Sequence, residues 1–574
     1  MKGIGVSLGV AIGRAFVDWK EHIEVEKEYV DDVELELDRL NAAIEVVEQE
    51  IREVYDGVSS RLLRDEVEIF TSHGMMISDP EFIGQVKGRI ITESVNAEWA
   101  VRSVADKFIQ VFEDMDDVYL KAKADDLKDL SARLCRLLLH VEGGDLSKIN
   151  EPSIIVFRNL DVGDLARVDR DKVLGIVSQE GTRSSHGVIK ARQWELPAVI
   201  GVSTILEMVE TGELLVIDGS DGTVIRNPDE ATLERYREKQ RSFIGFHQQL
   251  AEMAHRPTLT QDGYPLRLYA NVDTLRDVER ALQKGIRGVG LFRTEQLYMD
   301  RDRLPTEGEQ FGVYKKAVLA TQGRTVIFRT LDIGCDKVPS YLNVPRELNP
   351  ALGYRAIRLS LARADIFRIQ LRALLRASAF GKAKIMFPMI SGVEELRQAR
   401  GLLEDVKSAL RKEGIPFNPD VEVGVMVEVP SAAVVSDLLA KEVEFMSIGT
   451  NDLIQYSLAV DRSNDNLSGL YSPFHPAVLR LVYMTIKNGL QEGIKVSLCG
   501  EMASEPLLIP LLIGMGLERF SVNSDGVLMT RWIMAQVDRS LMRETVEQVM
   551  SLTSTEKVRR FCEECFAPLK DYHG

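Results

Sequence analysis

No apolar run in the chain reaches the ~20 residues that a bilayer-spanning helix needs. The longest, from Leu507 to Leu517, is broken by Pro510 and by Gly514 and Gly516. The opening GIGVSLGVAIG is no signal-peptide core either. Ile4, Val6, Leu8, Val10 and Ile12 alternate with glycine or small residues, the period of a strand. A cytoplasmic protein is expected. Cysteine is scarce: Cys135, Cys335, Cys499, Cys562 and Cys565 make an odd set of five, which argues against a secreted disulfide framework. Cys562 and Cys565 form a lone C-x-x-C without the second pair that would complete a zinc site, and they read as ordinary thiols on a helix. Positive charge is in deficit, with 71 Lys and Arg against 88 Asp and Glu and a net charge of −17. Nucleic acid and anionic membrane surfaces repel such a chain, so neither is an expected partner, while a basic protein remains compatible. No G-x-x-x-x-G-K-[ST] phosphate loop occurs.

What is present is ordinary globular material, 45% apolar and 28% charged, over 574 residues that suggest several domains. Residues 30–141 read as helix almost throughout. Leu37, Leu40, Ile44, Val47, Ile51, Val54 and Val58 step by threes and fours onto one stripe, with Asp31 and Asp32 at its start. From about 153 the texture changes to short β-branched runs, SIIVF, KVLGIVS, PAVIGV and ELLVIDG. The opening strand is expected to join them, which makes the helical stretch an insertion. Residues 228–256 read as a charged linking helix closed by Pro257. Beyond it, LRLYANV, GVGLFRTE, TVIFRTLDIG, KIMFPMI, VGVMVEVP, FMSIGTND, VSLCGEM and RFSVNS alternate with helices, which fits a (β/α)8 barrel.

Polar residues collect where those strands end. Arg293, Arg329 and Arg462 are candidates for gripping phosphate or carboxylate oxygens, which a guanidinium fork matches. Glu428 and Asp452 offer oxygen ligands of the kind that suits Mg²⁺, and Asn451 adjoins them. Cys499 ends another strand, where a thiol can give a proton to an enolate. Far from these, His186 lies in a Gly/Ser-rich turn, EGTRSSHGVIKAR, that follows a strand and opens a helix. A helix N-terminus favours neutral, nucleophilic imidazole and then a negative phosphoryl group on it. Ser184, Ser185 and Arg192 could help hold that group.

The motifs LFRTE (291–295), FRTLDIGCDK (328–337), NPALGYRAIR (349–358), VMVEVPSA (425–432), SIGTNDLIQY (447–456), AVDR (459–462) and SLCGEMA (497–503) resemble those of enzyme I. These are the phosphoenolpyruvate–protein phosphotransferases of the bacterial sugar phosphotransferase system. The resemblance runs through essentially the whole chain, including the SSHGVIKAR loop, although Gly187 stands where the family usually has threonine after the histidine. It implies a multidomain α/β protein. A swivelling phosphohistidine domain (1–20 and 147–227) would hold a helical carrier-binding insertion (21–146). A linker helix (228–256) would lead to a phosphoenolpyruvate-binding TIM barrel (257–574), through which the protein would form a homodimer.

The resemblance also assigns roles. His186 matches the phosphorylated histidine and Cys499 the acid that protonates enolpyruvate. Arg293, Arg329, Asn451 and Arg462 match substrate contacts, Arg355 and Lys337 lie in matching pocket motifs, and Glu428 and Asp452 match ligands of Mg²⁺. Glu66, Glu68, His73 and Met76 resemble the surface that docks the phosphocarrier protein HPr. The implied activity is phosphoryl transfer from phosphoenolpyruvate to His186 and then to a histidine of HPr. A regulatory phosphorelay paralogue and a non-catalytic phosphoenolpyruvate sensor of the same fold are the alternatives. A related dikinase would need an ATP-binding domain, for which the sequence has no room. The acids of 62–82 would attract a basic carrier electrostatically. Glu66→Lys with Glu68→Lys should therefore slow transfer to the carrier, spare self-phosphorylation, and lose its effect at high salt. Unchanged carrier transfer at low salt would place the docking surface elsewhere.

Overall fold

The computed structural model describes residues 1–17, 25–58, 76–77, 79–113, 118–139, 149–158, 169–181, 188, 191–192, 194, 196–299, 301–334, 339–342, 344–345, 347–462, 464–467 and 469–566. The chain forms two compact units, Met1–Phe243 and Ile244–Gly574.

The first unit is built on a seven-stranded sheet. Its strands are β1 (Ile4–Ser7), β2 (Val10–Val17), β3 (Ser153–Phe157), β4 (Val173–Ser178), β5 (Ala198–Ile200), β6 (Leu214–Asp218) and β7 (Thr223–Arg226), in the order β1-β5-β4-β3-β2-β6-β7. β2 to β5 are parallel, while β1, β6 and β7 join antiparallel. The alternating start is thus two strands and not one. Gly9, at φ +116°, turns the chain so that β1 lies at the edge beside β5 and β2 runs between β3 and β6.

Helices α1 (Val33–Val58), α2 (Pro80–Glu93), α3 (Ala97–Glu113) and α4 (Val118–Leu138) fall between β2 and β3 in sequence. Asp32 starts α1, its carboxylate accepting from Leu35 N at 3.1 Å, and Asp79 caps α2 in the same way through Glu81 N at 2.8 Å. Leu40 and Val47 of the α1 stripe are buried against Val86, Ile90, Val101, Val104, Leu127, Leu130 and Leu134. Ile77 is buried and Met76 half-buried in that same cluster, while Glu66, Glu68 and His73 lie outside the described residues. Among the described residues no helix is long and apolar enough to cross a membrane.

The charged stretch forms α5 (Glu230–Met253), as its sequence suggests. Asp229 accepts from Thr232 N at 2.8 Å at its start. Along its first half Lys239 pairs with the buried Asp218 of β6 at 2.7 Å, and Gln240 donates to Val10 O at 2.9 Å.

The second unit is a closed barrel of eight parallel strands: β8 (Arg267–Val272), β9 (Gly288–Phe292), β10 (Thr325–Arg329), β11 (Ala383–Phe387), β12 (Val423–Val427), β13 (Phe445–Ile448), β14 (Lys495–Leu498) and β15 (Arg519–Asn523), with β15 pairing back to β8. Each expected strand run supplies one of them. Side chains such as Phe328, Phe387, Ile448 and Leu498 face the surrounding helices, and Leu291, Ile327, Met386, Met426, Phe445 and Cys499 fill the interior.

Arg531 secures the base of this unit. It is 1% exposed, and its guanidinium donates to Met253 O, Lys284 O and Gly285 O at 2.8 Å each and to Thr258 Oγ1 at 3.1 Å. These carbonyls lie at the ends of α5 and of α6 (Leu275–Gln283), where helix dipoles supply partial negative charge in place of a carboxylate. Arg531→Met strands those carbonyls in a dry site. Chemical denaturation should show a loss of about 3 kcal/mol. A loss below about 1 kcal/mol would show that water satisfies them instead.

Candidate active site

In a parallel barrel the residues that follow each strand gather at one face. Here Asp273 follows β8, Arg293 follows β9, Arg329 closes β10 and Asp332 comes just after it. Glu428 follows β12, Asn451 and Asp452 open the helix Thr450–Leu458 after β13, and Cys499 follows β14.

Asp332, Glu428 and Asp452 each present a carboxylate oxygen, all within 4.8 Å of one another. They are the one group of at least three potential ligands found among the described residues. Glu428 is 2% exposed and accepts from Met389 N at 2.6 Å. Burial, and then the repulsion of Asp332 and Asp452, push its carboxyl well above the usual range, against the pull of Arg329. Gly449 makes room for it, since a Cβ there would lie 2.8 Å from Glu428 Oε2. Asp452 Oδ1 is buried without a hydrogen-bond partner, with Arg462 Nη1 at 3.9 Å from it. Three hard oxygen donors, one of them unsatisfied, fit a divalent cation.

The arginines border the carboxylates. Arg329 donates to Glu295 at 3.1 Å and pairs with Asp332 at 2.7 Å, and its buried Nε has no hydrogen-bond partner. Arg355 reaches Asp332 at 2.9 Å, Asp452 at 3.5 Å and Tyr456 Oη at 3.0 Å. Arg293 pairs with Asp273 at 3.1 Å. Arg462 stands 3.9 Å from Asp452 with half of its side chain exposed. Asn451 accepts from Glu501 N at 3.0 Å. Cys499 is 4% exposed, and burial above all pushes its thiol up to about 11, so it carries its proton at neutral pH. Asn271 ties the Cys499 carbonyl across the barrel at 2.8 Å.

The structure therefore brings together Arg293, Arg329, Arg355, Glu428, Asn451, Asp452, Arg462 and Cys499. It adds Asp332, Asp273, Glu295 and Asn271, which the sequence reading passed over. Asp332 had a signal, being three residues past Arg329 within the FRTLDIGCDK motif. His186 and Lys337 lie outside the described residues. Beside the histidine turn, Gly181 sits at φ +131°, and Val188 and Ala191 are buried. Arg192, expected near the phosphoryl group, instead donates its Nε to Val6 O of β1 at 2.7 Å.

A barrel with guanidinium forks and clustered carboxylates at its C-terminal face is an enzyme fold equipped to grip a small phosphorylated anion. Residues 247–539 match the PEP-binding domain of PEP-utilising enzymes, residues 2–123 the N-terminal domain and residues 149–222 the mobile domain. The phosphoenolpyruvate-protein phosphotransferase of Priestia megaterium is 44% identical over 99% of both chains, and that of Bacillus subtilis 43% over 99% of both. A solution structure of an enzyme I protein is 38% identical, covering 42% of this chain and 99% of that one at a TM-score of 0.39. The chain belongs to the phosphoenolpyruvate-protein phosphotransferase family and is an enzyme.

If the three carboxylates act as one cation site, removing any single charge weakens it. Asp332→Asn should lower the affinity for Mn²⁺, read by the paramagnetic resonance of the free ion, by about tenfold or more. Unchanged affinity would exclude Asp332 from the site.

Proposed function

We infer that the enzyme moves the phosphoryl group of phosphoenolpyruvate to His186 and from there to a histidine of the phosphocarrier HPr, as the first step of the sugar phosphotransferase system. The observation that carries this reading is the pairing, at one barrel face, of the half-buried Arg329 guanidinium, whose buried Nε is unengaged, with the buried, protonated Cys499 thiol. The first suits the phosphate of the substrate, and the second suits the carbon that must take a proton once the phosphate has left.

Arg293, Arg329 and Arg462 bind the phosphate and carboxylate oxygens, and Asn451 and Lys337 complete the pocket. Mg²⁺ on Asp332, Glu428 and Asp452 would supply neutralising charge to the phosphoryl oxygens. The imidazole of His186 forms the P–N bond while the P–O bond to the enol oxygen breaks, so the electron pair of that bond leaves on enolpyruvate. Cys499 gives its proton to the methylene carbon and yields pyruvate. Positioning and charge suffice for such a transfer, because the phosphoryl group needs no covalent help beyond the nucleophile.

The domain assignment follows the same reading. The sheet around the histidine turn forms the phosphohistidine domain (1–20 and 147–227), and 21–146 forms the insertion that docks the carrier through Glu66, Glu68, His73 and Met76. Residues 228–256 link it to the barrel domain, 257–574, through which a homodimer forms. The work takes place in the cytoplasm. Met76 is only half-buried against the helical core.

Cys499→Ala separates the two half-events. Phosphoryl transfer should persist, while pyruvate formation in a single turnover falls by about 100-fold. Pyruvate released at the normal rate would assign the proton to another group.

A further inference from the structure

Among the described residues, Arg355 is the cation that bridges two of the three clustered carboxylates. Its Nη2 lies 2.9 Å from Asp332 Oδ1 and 3.5 Å from Asp452 Oδ2, and its side chain is 8% exposed. Its Nη1 donates to Tyr456 Oη at 3.0 Å, and that hydroxyl donates in turn to Ala351 O at 2.5 Å. The backbone around it is tightly defined. Arg355 immediately precedes the helix Ala356–Ala362, and Ala356 sits at φ +52° with its N–H on Ile333 O at 3.1 Å. Gly334 packs so closely that a Cβ there would lie 2.2 Å from Arg355 Cβ. The guanidinium is therefore held against the carboxylates from its own chain and from Tyr456.

This placement sets a conflict. A divalent cation among Asp332, Glu428 and Asp452 would share oxygens with Arg355 and would bring two further positive charges within ion-pair distance of it. Both cannot hold Asp332 and Asp452 at full strength. A phosphate or carboxylate offers a guanidinium a better bidentate partner than two separately placed oxygens.

We propose that Arg355 is a built-in counter-ion of the acidic cluster, competing with the divalent cation until an anionic substrate draws the guanidinium away. Cation and phosphoenolpyruvate then bind cooperatively, because each removes an obstacle to the other. This rests on the reading of Asp332, Glu428 and Asp452 as metal ligands. It gives Arg355 a role in the order of binding in addition to contact with substrate.

The test is a Mn²⁺ titration of the full chain, read by the paramagnetic resonance of free Mn²⁺, in a His186→Ala background that prevents turnover. With Arg355 in place, adding phosphoenolpyruvate should tighten Mn²⁺ binding. Arg355→Met should bind Mn²⁺ alone about tenfold more tightly and lose most of that gain, while its affinity for phosphoenolpyruvate falls. A merely structural role would weaken both ligands together. Tyr456→Phe removes the tether and keeps the charge, so it should shift Mn²⁺ affinity in the same direction by a smaller factor, and it carries the test if Arg355→Met does not fold. Mn²⁺ affinity unchanged or weakened in both variants overturns the proposal. Failure of every protein to bind Mn²⁺, with or without phosphoenolpyruvate, overturns the metal-site reading and the proposal with it.

Discussion

Three carboxylates packed within 4.8 Å of one another in a nearly dry barrel mouth are the constraint around which the rest of the site is arranged. Like charges this close, away from water, repel strongly unless cations neutralise them. The response is visible in the surrounding pairs: Arg329 on Asp332, Arg355 on Asp332 and Asp452, and Arg462 near Asp452. Glu428 lacks a direct guanidinium partner among the described residues and is the member whose carboxyl is driven well above the usual range. The carboxylates and guanidiniums thus offset one another's charge at one face of the barrel.

The barrel makes that arrangement possible. Parallel strands whose interior is filled by Leu291, Ile327, Met386, Met426 and Phe445 form a rigid plug, and charged groups stand on top of it with little freedom to spread apart. Glu295 holds Arg329 at 3.1 Å and accepts from Asp332 N at 3.1 Å, so one half-buried carboxylate orients both an arginine and a member of the cluster. Burial also pushes the Cys499 thiol up, away from the thiolate form.

Much of this was legible in the sequence, for a physical reason. Barrel strands buried on both faces must be short β-branched runs, and the residue after each run must sit at the functional face, so Arg293, Glu428 and Cys499 could be read directly. The opening segment forms two strands where its pattern suggests one, because alternation cannot show where a chain turns, and Gly9 turns it. The strand Thr223–Arg226 leaves little sequence signal, because four residues after a glycine turn carry little pattern. Which of the 88 acidic residues completes the cluster is a question of loop geometry: Asp332 and Glu295 lie inside the FRTLDIGCDK and LFRTE motifs, but only their three-dimensional contacts single them out, as they do Asp273. Arg192 went to a β1 carbonyl for the same reason: helical position alone does not fix where a long side chain ends.

The proposed chemistry begins with one event, arrival of the phosphoryl group on the histidine of the Ser-rich turn. Incubation with labelled phosphoenolpyruvate and Mg²⁺, followed by mapping of the acid-labile label, tests it most directly. The label should reside on the peptide containing His186 and be absent from His186→Ala. Label on any other residue, or undiminished labelling of that variant, would contradict it.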